Sequence, residues 1–297
     1  MTVNKAPDQQ IPSSGGCILV ADSGSTKTDW RLLEGDSQIR AFTTLGLNPH
    51  HHDDEEFRHR LTPVVERLEG SRVQRIHFYG SGCTRDQLHR MTLLLRQTFR
   101  CQRVEVQSDM VGAARAVSLD APALVAILGT GSNLCYWDGR RISPSVPSLG
   151  YILGDEGSGS HIGRELLRRV MRGQLPRLHV AFYRYTQLTE AAILDHLYRL
   201  PDTGAWLASL VPFCVAHRRS APIVELLTDC FSQFLATHSA LLQRHPHTPL
   251  HFVGSIATQF RMELERLLLL RGIPIGRFIP SPIEGLEKYH LQQHPQR

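Results

Sequence analysis

The sequence predicts an α/β protein made of two βββαβα halves that face each other across a cleft, the second half enlarged by helices. Three observations carry that expectation. Residues 17–43 read as a three-stranded meander followed by a helix, a strand and a helix, and the same order begins again after Asp120-Ala-Pro122. In each half a turn rich in glycine and hydroxyls joins the first two strands: Ser23-Gly-Ser-Thr-Lys27 in one, Gly129-Thr-Gly-Ser132 in the other. The stretch from Ser158 to His245 has helical periodicity almost throughout and reads as an insertion into the second half.

Composition narrows the class. At 297 residues, 41% hydrophobic and 21% charged, the chain can bury a substantial core. The net charge is +5, but 33 basic residues are dispersed among 28 acidic ones, and no basic tract exceeds a pair such as Arg168-Arg169. That pattern excludes a nucleic-acid face. Six widely separated cysteines without C-x-x-C spacing read as reduced thiols. The polar opening has no signal-peptide core, and the longest apolar run, Leu267 to Leu270, is too short to cross a bilayer. A soluble cytoplasmic chain is expected, with no membrane partner and a frayed tail over residues 1–16.

Each element follows from local pattern. Cys17 to Asp22 is an apolar strand ending in a carboxylate, Thr28 to Leu33 its antiparallel partner, and Gln38 to Thr43 the third strand after the turn Glu34-Gly-Asp-Ser37. Asp53 to Glu56 open a helix carrying Phe57, Leu61, Val64, Val65 and Leu68, despite Pro63. His50-His51-His52 before it reads as a solvated loop, because consecutive side chains diverge. Val73 to Tyr79 is a strand, Asp86 to Phe99 a helix, Arg103 to Gln107 a strand and Met110 to Val117 a helix. In the second half, strands are expected at Ala123 to Leu128, Asn133 to Trp137 and Arg140 to Ser143, then, after the insertion, at Leu250 to Val253 and Gly276 to Ile279. One helix is expected from Ser255 to Arg271 and a closing helix from Pro282 to Tyr289.

Paired turns in matched positions point to phosphate, because glycine removes the side chain that would hold an oxyanion away from backbone N–H groups. Asp22 sits beside the first turn. Lys27 offers it a point charge or faces solvent. Asp109 follows a strand and opens a helix, so it is either a cap, as Ser108 also is, or a carboxylate at a strand's C-terminal edge, where α/β folds place ligands. Asp155 and Glu156, between glycines ahead of a helix, pose the same choice.

At these residues the chain resembles the sugar kinase, Hsp70 and actin superfamily, and within it the N-acetylglucosamine kinases of the BadF/BadG/BcrA/BcrD-type ATPase family, particularly the short bacterial members. The resemblance runs from about residue 17 to 290. It rests on Asp22-Ser-Gly-Ser-Thr-Lys-Thr-Asp29, Gly80-Ser-Gly-Cys83, Ser108-Asp109 with Ala113-Ala114, Gly129-Thr-Gly-Ser-Asn133, Gly154-Asp-Glu-Gly-Ser158 and Phe252-Val-Gly-Ser-Ile256. It implies two ribonuclease H-like, actin-like ATPase domains and ATP-dependent phosphorylation of N-acetylglucosamine at the 6-hydroxyl, with ATP and Mg²⁺ as cofactors. Asp109 would be the general base and Asp22 would hold the metal through its water shell. Ser23, Gly24, Ser25, Thr26 and Lys27 would cradle the phosphates opposite Gly129, Thr130, Gly131 and Ser132. Gly254 and Ser255 would meet adenosine, and Asn48, Ser81, Thr130, Asn133 and Asp155 the sugar.

There are departures. Vertebrate members carry Gly-Trp-Gly where this chain has Ser148-Leu-Gly-Tyr151, which opens the sugar's identity to glucosamine or N-acetylmuramic acid. An alternative of another kind, an ATPase that activates a redox enzyme through an interfacial iron–sulfur cluster, lacks suitably placed cysteines. A sugar-sensing repressor would need a helix-turn-helix that the residues before the first strand do not form. The expected division is an N-terminal ATPase-fold domain over 17–119, a C-terminal one with the helical insertion over 120–280, and a C-terminal helix in 281–297 packing back on the first. The family also implies a homodimer.

Overall fold

The computed structural model of the chain describes residues 16–34, 38–50 and 52–293. The expected tail up to residue 15, the middle of the Glu34–Ser37 turn, His51 and the last residues of the C-terminal segment lie outside these.

The first sheet is built around a hairpin, β1 (Cys17–Ser23) and β2 (Lys27–Glu34), extended by β3 (Gln38–Leu45). On its other side β1 pairs in parallel with β4 (Val73–Gly80), which pairs with β5 (Arg103–Ser108), giving the order β3-β2-β1-β4-β5. Helices α1 (Asp54–Arg67), α2 (Arg85–Phe99) and α3 (Asp109–Ser118) follow β3, β4 and β5. The central strand is apolar on both faces for a visible reason. Cys17, Leu19 and Ala21 enter a core with Phe57, Leu61, Met91 and Leu95, while Ile18 and Val20 enter another with Tyr79, Ile283 and Leu286. Helix α1 starts where the acids predicted: Asp53 accepts from the Glu56 N–H at 2.9 Å, and Phe57, Leu61 and Val64 are buried at helical spacing. Val65, expected on the same face, is 40% exposed.

The second half repeats the plan. Strands β6 (Ala123–Leu128), β7 (Ser132–Trp137) and the short β8 (Ile142–Pro144) form the meander. Then come α4 (Gly150–Leu153), α5 (Gly159–Met171), α6 (Pro176–Thr186), α7 (Glu190–Arg199), α8 (Thr203–Ala208), α9 (Val211–Ala216), α10 (Ala221–Thr237) and α11 (Ser239–Arg244). The chain returns through β9 (Leu250–Val253), α12 (Ser255–Gln259), α13 (Arg261–Leu270), β10 (Ile275–Ile279) and α14 (Ile283–Gln293). The sheet order β10-β9-β6-β7-β8 matches the first sheet strand for strand. Each half is thus a ribonuclease H-like unit, and the second carries the helices.

The single helix expected over Ser255 to Arg271 is two. Phe260 leaves helical geometry (φ −111°, ψ 31°) to bury its ring fully beside Phe231, and the apolar periodicity running through it gave no sign of the break. Helix α4 was also not expected; four residues between Gly150 and Gly154 are too few to show a period.

Helix α3 lies between the two sheets. Met110, Ala113, Ala114 and Val117 pack with Ala123, Val125, Cys135 and Val253 of the second sheet, while Val111 and Ala116 pack with residues of β1 and α14. Helix α14 belongs in sequence to the second half but lies on the first, held by Arg31–Glu287 at 3.2 Å and Tyr79–His290 at 2.9 Å.

Candidate active site

The turn between β1 and β2 is a framework of small hydrogen bonds. The Gly24 N–H donates to Lys27 O at 2.9 Å, and the Gly46 N–H to Thr26 O at 3.1 Å. Ser23, only 1% exposed, shares a hydroxyl contact with Thr28 at 2.8 Å and accepts from the Leu47 N–H at 3.1 Å. Its hydroxyl therefore builds the turn rather than facing a ligand. The N–H groups of Ser25 and Thr26 have no intramolecular acceptor among the described residues, which leaves them for an oxyanion. Lys27 settles on the solvent side: its ammonium is 2.6 Å from Asp29 and its side chain 62% exposed. Asp29, to which the sequence reading gave no role, is buried and also accepts from Thr43 Oγ1 at 2.8 Å.

The turn between β6 and β7 is held from outside itself. Gly159 and Ser160, at the N-terminus of α5, donate to Gly129 O at 2.8 Å and Thr130 O at 3.1 Å. Asp155 Oδ1 accepts from the Ser132 N–H at 3.1 Å, and Ser132 Oγ donates to Glu156 O at 2.8 Å. The N–H groups of Thr130 and Gly131 are left without an intramolecular acceptor among the described residues. A Cβ on Gly131 would sit 3.0 Å from Asp155 Oδ2, so only glycine lets the turn lie this close to that carboxylate.

The choice between cap and free carboxylate resolves at Asp155. Ser158 caps α5, accepting from the His161 N–H at 3.2 Å, so Asp155 is free to reach across to the turn. Its backbone is in the left-handed region (φ 56°), a conformation that costs a non-glycine residue of order 1 kcal/mol and here aims the side chain. Ser108 occupies the capping position of α3, so Asp109 is the first helical residue. The Asp109 Oδ1 accepts the Met110 N–H at 2.8 Å, and burial pushes its pKa above the usual carboxylate range. The charge of Asp109 is felt by Cys83 from the first half and Cys135 from the second, whose thiols burial and that charge push up to about 12. Asp109 therefore stands where the halves meet.

Asp22 shares this ground. Burial, then Asp109, then Asp29 push its pKa up to about 7 against the opposing pull of Lys27. Its carboxylate accepts from Ser281 Oγ at 3.4 Å, a contact 259 residues away in sequence and without any local signal.

The remaining candidates fall into two groups. Asn48 is buried, accepts from the His50 N–H at 3.0 Å and reaches Ser25 Oγ at 3.5 Å. It touches the β4–α2 loop, since a Cβ on Gly82 would lie 2.2 Å from its Oδ1. Ser81 in that loop donates its N–H to Ser23 O at 2.8 Å. Asn48 and Ser81 thus stand together at the first turn, whereas Thr130, Asn133 and Asp155 belong to the second. Gly254 backs onto the second turn with φ 119°; a Cβ there would meet Leu128 O at 2.3 Å. Ser255 is exposed at the start of α12. The six cysteines are free and buried, and no group of three or more His, Cys, Asp or Glu among the described residues is arranged to hold a metal ion. No helix among them is long and apolar enough to cross a membrane.

No family model matches the chain, and no curated protein sequence does. Solved structures do. A putative N-acetylglucosamine kinase from Porphyromonas gingivalis is 39% identical, with a TM-score of 0.88 over 93% of this chain and 99% of that one. A putative N-acetylglucosamine kinase from Chromobacterium violaceum aligns at 16% identity and a TM-score of 0.73 over 92% of this chain and 98% of its own. A ROK family glucokinase from Streptomyces griseus, solved with glucose and AMPPNP, shares the fold at 14% identity, with a TM-score of 0.56 over 92% and 98%.

Two halves of matched topology, with equivalent glycine turns and a buried carboxylate on the helix between them, are the frame of a sugar kinase of the actin-like ATPase superfamily. The chain belongs to the bacterial N-acetylglucosamine kinase family represented by the Porphyromonas gingivalis protein.

Proposed function

We propose that this chain transfers the γ-phosphoryl group of ATP to the 6-hydroxyl of an amino sugar, N-acetylglucosamine first among candidates. The observation that carries the reading is Asp109: a buried carboxylate at the start of the helix that packs between the two halves, with its pKa raised by burial. A general base gains from that rise because its proton affinity approaches that of the group it serves. Asp109 accepts the hydroxyl proton as the sugar oxygen bonds to phosphorus and the bond to the ADP oxygen breaks. The free N–H groups of Ser25, Thr26, Thr130 and Gly131 meet the phosphate oxygens from both sides and stabilise their charge. Asp155, Asn133 and Thr130 on one side and Asn48 and Ser81 on the other orient the sugar hydroxyls. Gly254 and Ser255 stand at the adenosine end.

The donor set fits Mg²⁺. Asp22 is a hard oxygen donor among like charges, with the nearest cation already engaged by Asp29, which is how a carboxylate awaiting a cation is placed. When bound, the ion neutralises phosphate charge. Asp22 would hold it through water. The same reading divides the chain at 17–119, 120–280 and 281–297, places it in the cytoplasm and makes it a homodimer with ATP and sugar as its ligands.

An ADP-release assay with N-acetylglucosamine, glucosamine and N-acetylmuramic acid tests the reading. Turnover that depends on a sugar is expected, reduced about 10³-fold by Asp109→Asn. No sugar-dependent turnover, or full activity in Asp109→Asn, would overturn it. The panel also bears on the sugar's identity, since Ser148-Leu-Gly-Tyr151 replaces the Gly-Trp-Gly of vertebrate members.

A further inference from the structure

We infer that Ser281 is a positioning residue that carries the state of the nucleotide turn to the Asp22 carboxylate; the inference rests on the reading of Asp22 as the residue that holds the metal.

The connection is short and made of named bonds. Gly254, in the turn behind Gly129, donates its N–H to Ile279 O at 2.9 Å. Two residues further on, Ser281 Oγ lies 3.4 Å from Asp22 Oδ2. Only Pro280 intervenes, so a displacement of the Gly254 turn reaches the Asp22 carboxylate along three residues of chain.

That chain is stiff. Pro280 and Pro282 flank Ser281, fixing φ on either side and confining Ser281 to extended backbone. It is also anchored at both ends. On one side β10 pairs with β9 in the second sheet. On the other, α14 is fastened to the first half by Arg31–Glu287 at 3.2 Å and Tyr79–His290 at 2.9 Å. Gly285 rests against α3, where a Cβ would lie 2.5 Å from Ala116 O. Segment 280–282 is therefore a strap between the halves, and it places Ser281 where the second sheet connects to the Asp22 side of the first.

Asp22 depends on that contact. The Ser281 hydroxyl supplies the one side-chain hydrogen bond its carboxylate accepts among the described residues. Its other close ionisable neighbours are the like charges of Asp109 and Asp29, and Lys27 is bound to Asp29 at 2.6 Å. No other side-chain hydrogen bond among the described residues fixes the rotation of the Asp22 carboxyl plane. A carboxylate that must present one oxygen to a hydrated cation binds it better when that plane is set beforehand. Ser281 also receives the Ile283 N–H at 3.4 Å, so its hydroxyl is steered by the first turn of α14 as well.

The test is calorimetric titration of the full chain with ADP, with Mg²⁺ and with chelator, for the wild type, Ser281→Ala and Ser281→Thr. The quantity read is the gain in ADP affinity on adding Mg²⁺. Ser281→Ala is expected to reduce that gain about three- to tenfold and to leave the metal-free affinity unchanged, and Ser281→Thr, which keeps the hydroxyl, to restore it. A gain in Ser281→Ala equal to the wild type's would overturn the inference. So would an equal loss with and without Mg²⁺ accompanied by a lower melting temperature, which marks a merely structural role. Wild-type ADP affinity indifferent to Mg²⁺ would remove the metal reading of Asp22 and the inference with it, and the wild type alone distinguishes that result.

Discussion

The two phosphate turns occupy matched positions in matched sheets, yet they are held in different ways. The first rests mostly on its own hairpin and the adjoining β3 end, through Gly24 to Lys27, Gly46 to Thr26 and the hydroxyls of Ser23 and Thr28, with Ser81 and Asn48 adding contacts from outside. The second borrows its shape from residues 155–160, through Asp155, Glu156, Gly159 and Ser160. Those residues in turn rest on the helical core, where a Cβ on Gly157 would meet Phe234 at 2.9 Å and the Phe234 ring stands 4.7 Å from that of His238. The segment that shapes one phosphate turn thus includes the carboxylate proposed to hold the sugar. A duplicated element rests mostly on its own hairpin in one half, and in the other adds to its own Gly129–Gly131 bond the support of a neighbouring segment.

The largest expected effect follows from that dependence. Asp155→Ala should lower kcat/KM about 10²-fold and raise KM for both sugar and ATP, because it removes a sugar contact and the anchor of the Ser132 N–H together. Asp155→Asn keeps an acceptor and tolerates the left-handed backbone, so it should raise KM for the sugar alone. If ATP KM is unchanged in Asp155→Ala, the second turn is as self-supporting as the first and the comparison fails.

A smaller effect concerns acid. Burial holds the pKa of His238 down to about 4, so between pH 6.5 and 4 the unfolded chain binds a proton that the folded chain refuses. Stability from this residue is complete above that window and lost as pH falls through it, by roughly 3 kcal/mol in all. Denaturant titrations at pH 7.5, 6 and 4.5 should show a shallower decline for His238→Phe than for the wild type. Parallel curves would mean that the helical bed under the second turn is indifferent to this ring.

Least should come of Lys27→Ala. An exposed ammonium paired with Asp29 lies in high dielectric, and its removal should change kcat/KM by less than about threefold. A loss near 10²-fold, read by the same kinetics, would show that the first turn too depends on a side chain reaching the phosphates.

Much of this was legible in the sequence, and the reasons differ by feature. The strands declared themselves because β1 and β6 are covered on both faces, β1 apolar from Cys17 to Ala21 and β6 throughout. The turns declared themselves because close approach requires glycine. Asp109 did not, since an aspartate at a helix start reads the same whether it caps or faces a substrate; what sets it apart is its burial near Asp22, Cys83 and Cys135, neighbours that lie far off in the chain. Helix α4 and the break at Phe260 escaped because one is shorter than a period and the other is caused by a ring buried against a distant helix. Ser281 escaped because its partner lies at the other end of the chain.

Helix α3 has a consequence for how such a molecule moves. Ala113 and Ala114 pack against the second sheet, Ala116 packs on the opposite side, and Gly112 lies against Tyr79, where a Cβ would be 2.9 Å from the Tyr79 Cβ. Small residues let both sheets approach the helix closely, while Met110, Val111 and Val117 interlock with them, so the helix is the element the halves share. A change in their angle turns about such a shared element rather than past it. Asp109 stands on its first turn, so in the proposed reaction the base would ride on the part of the molecule common to both halves.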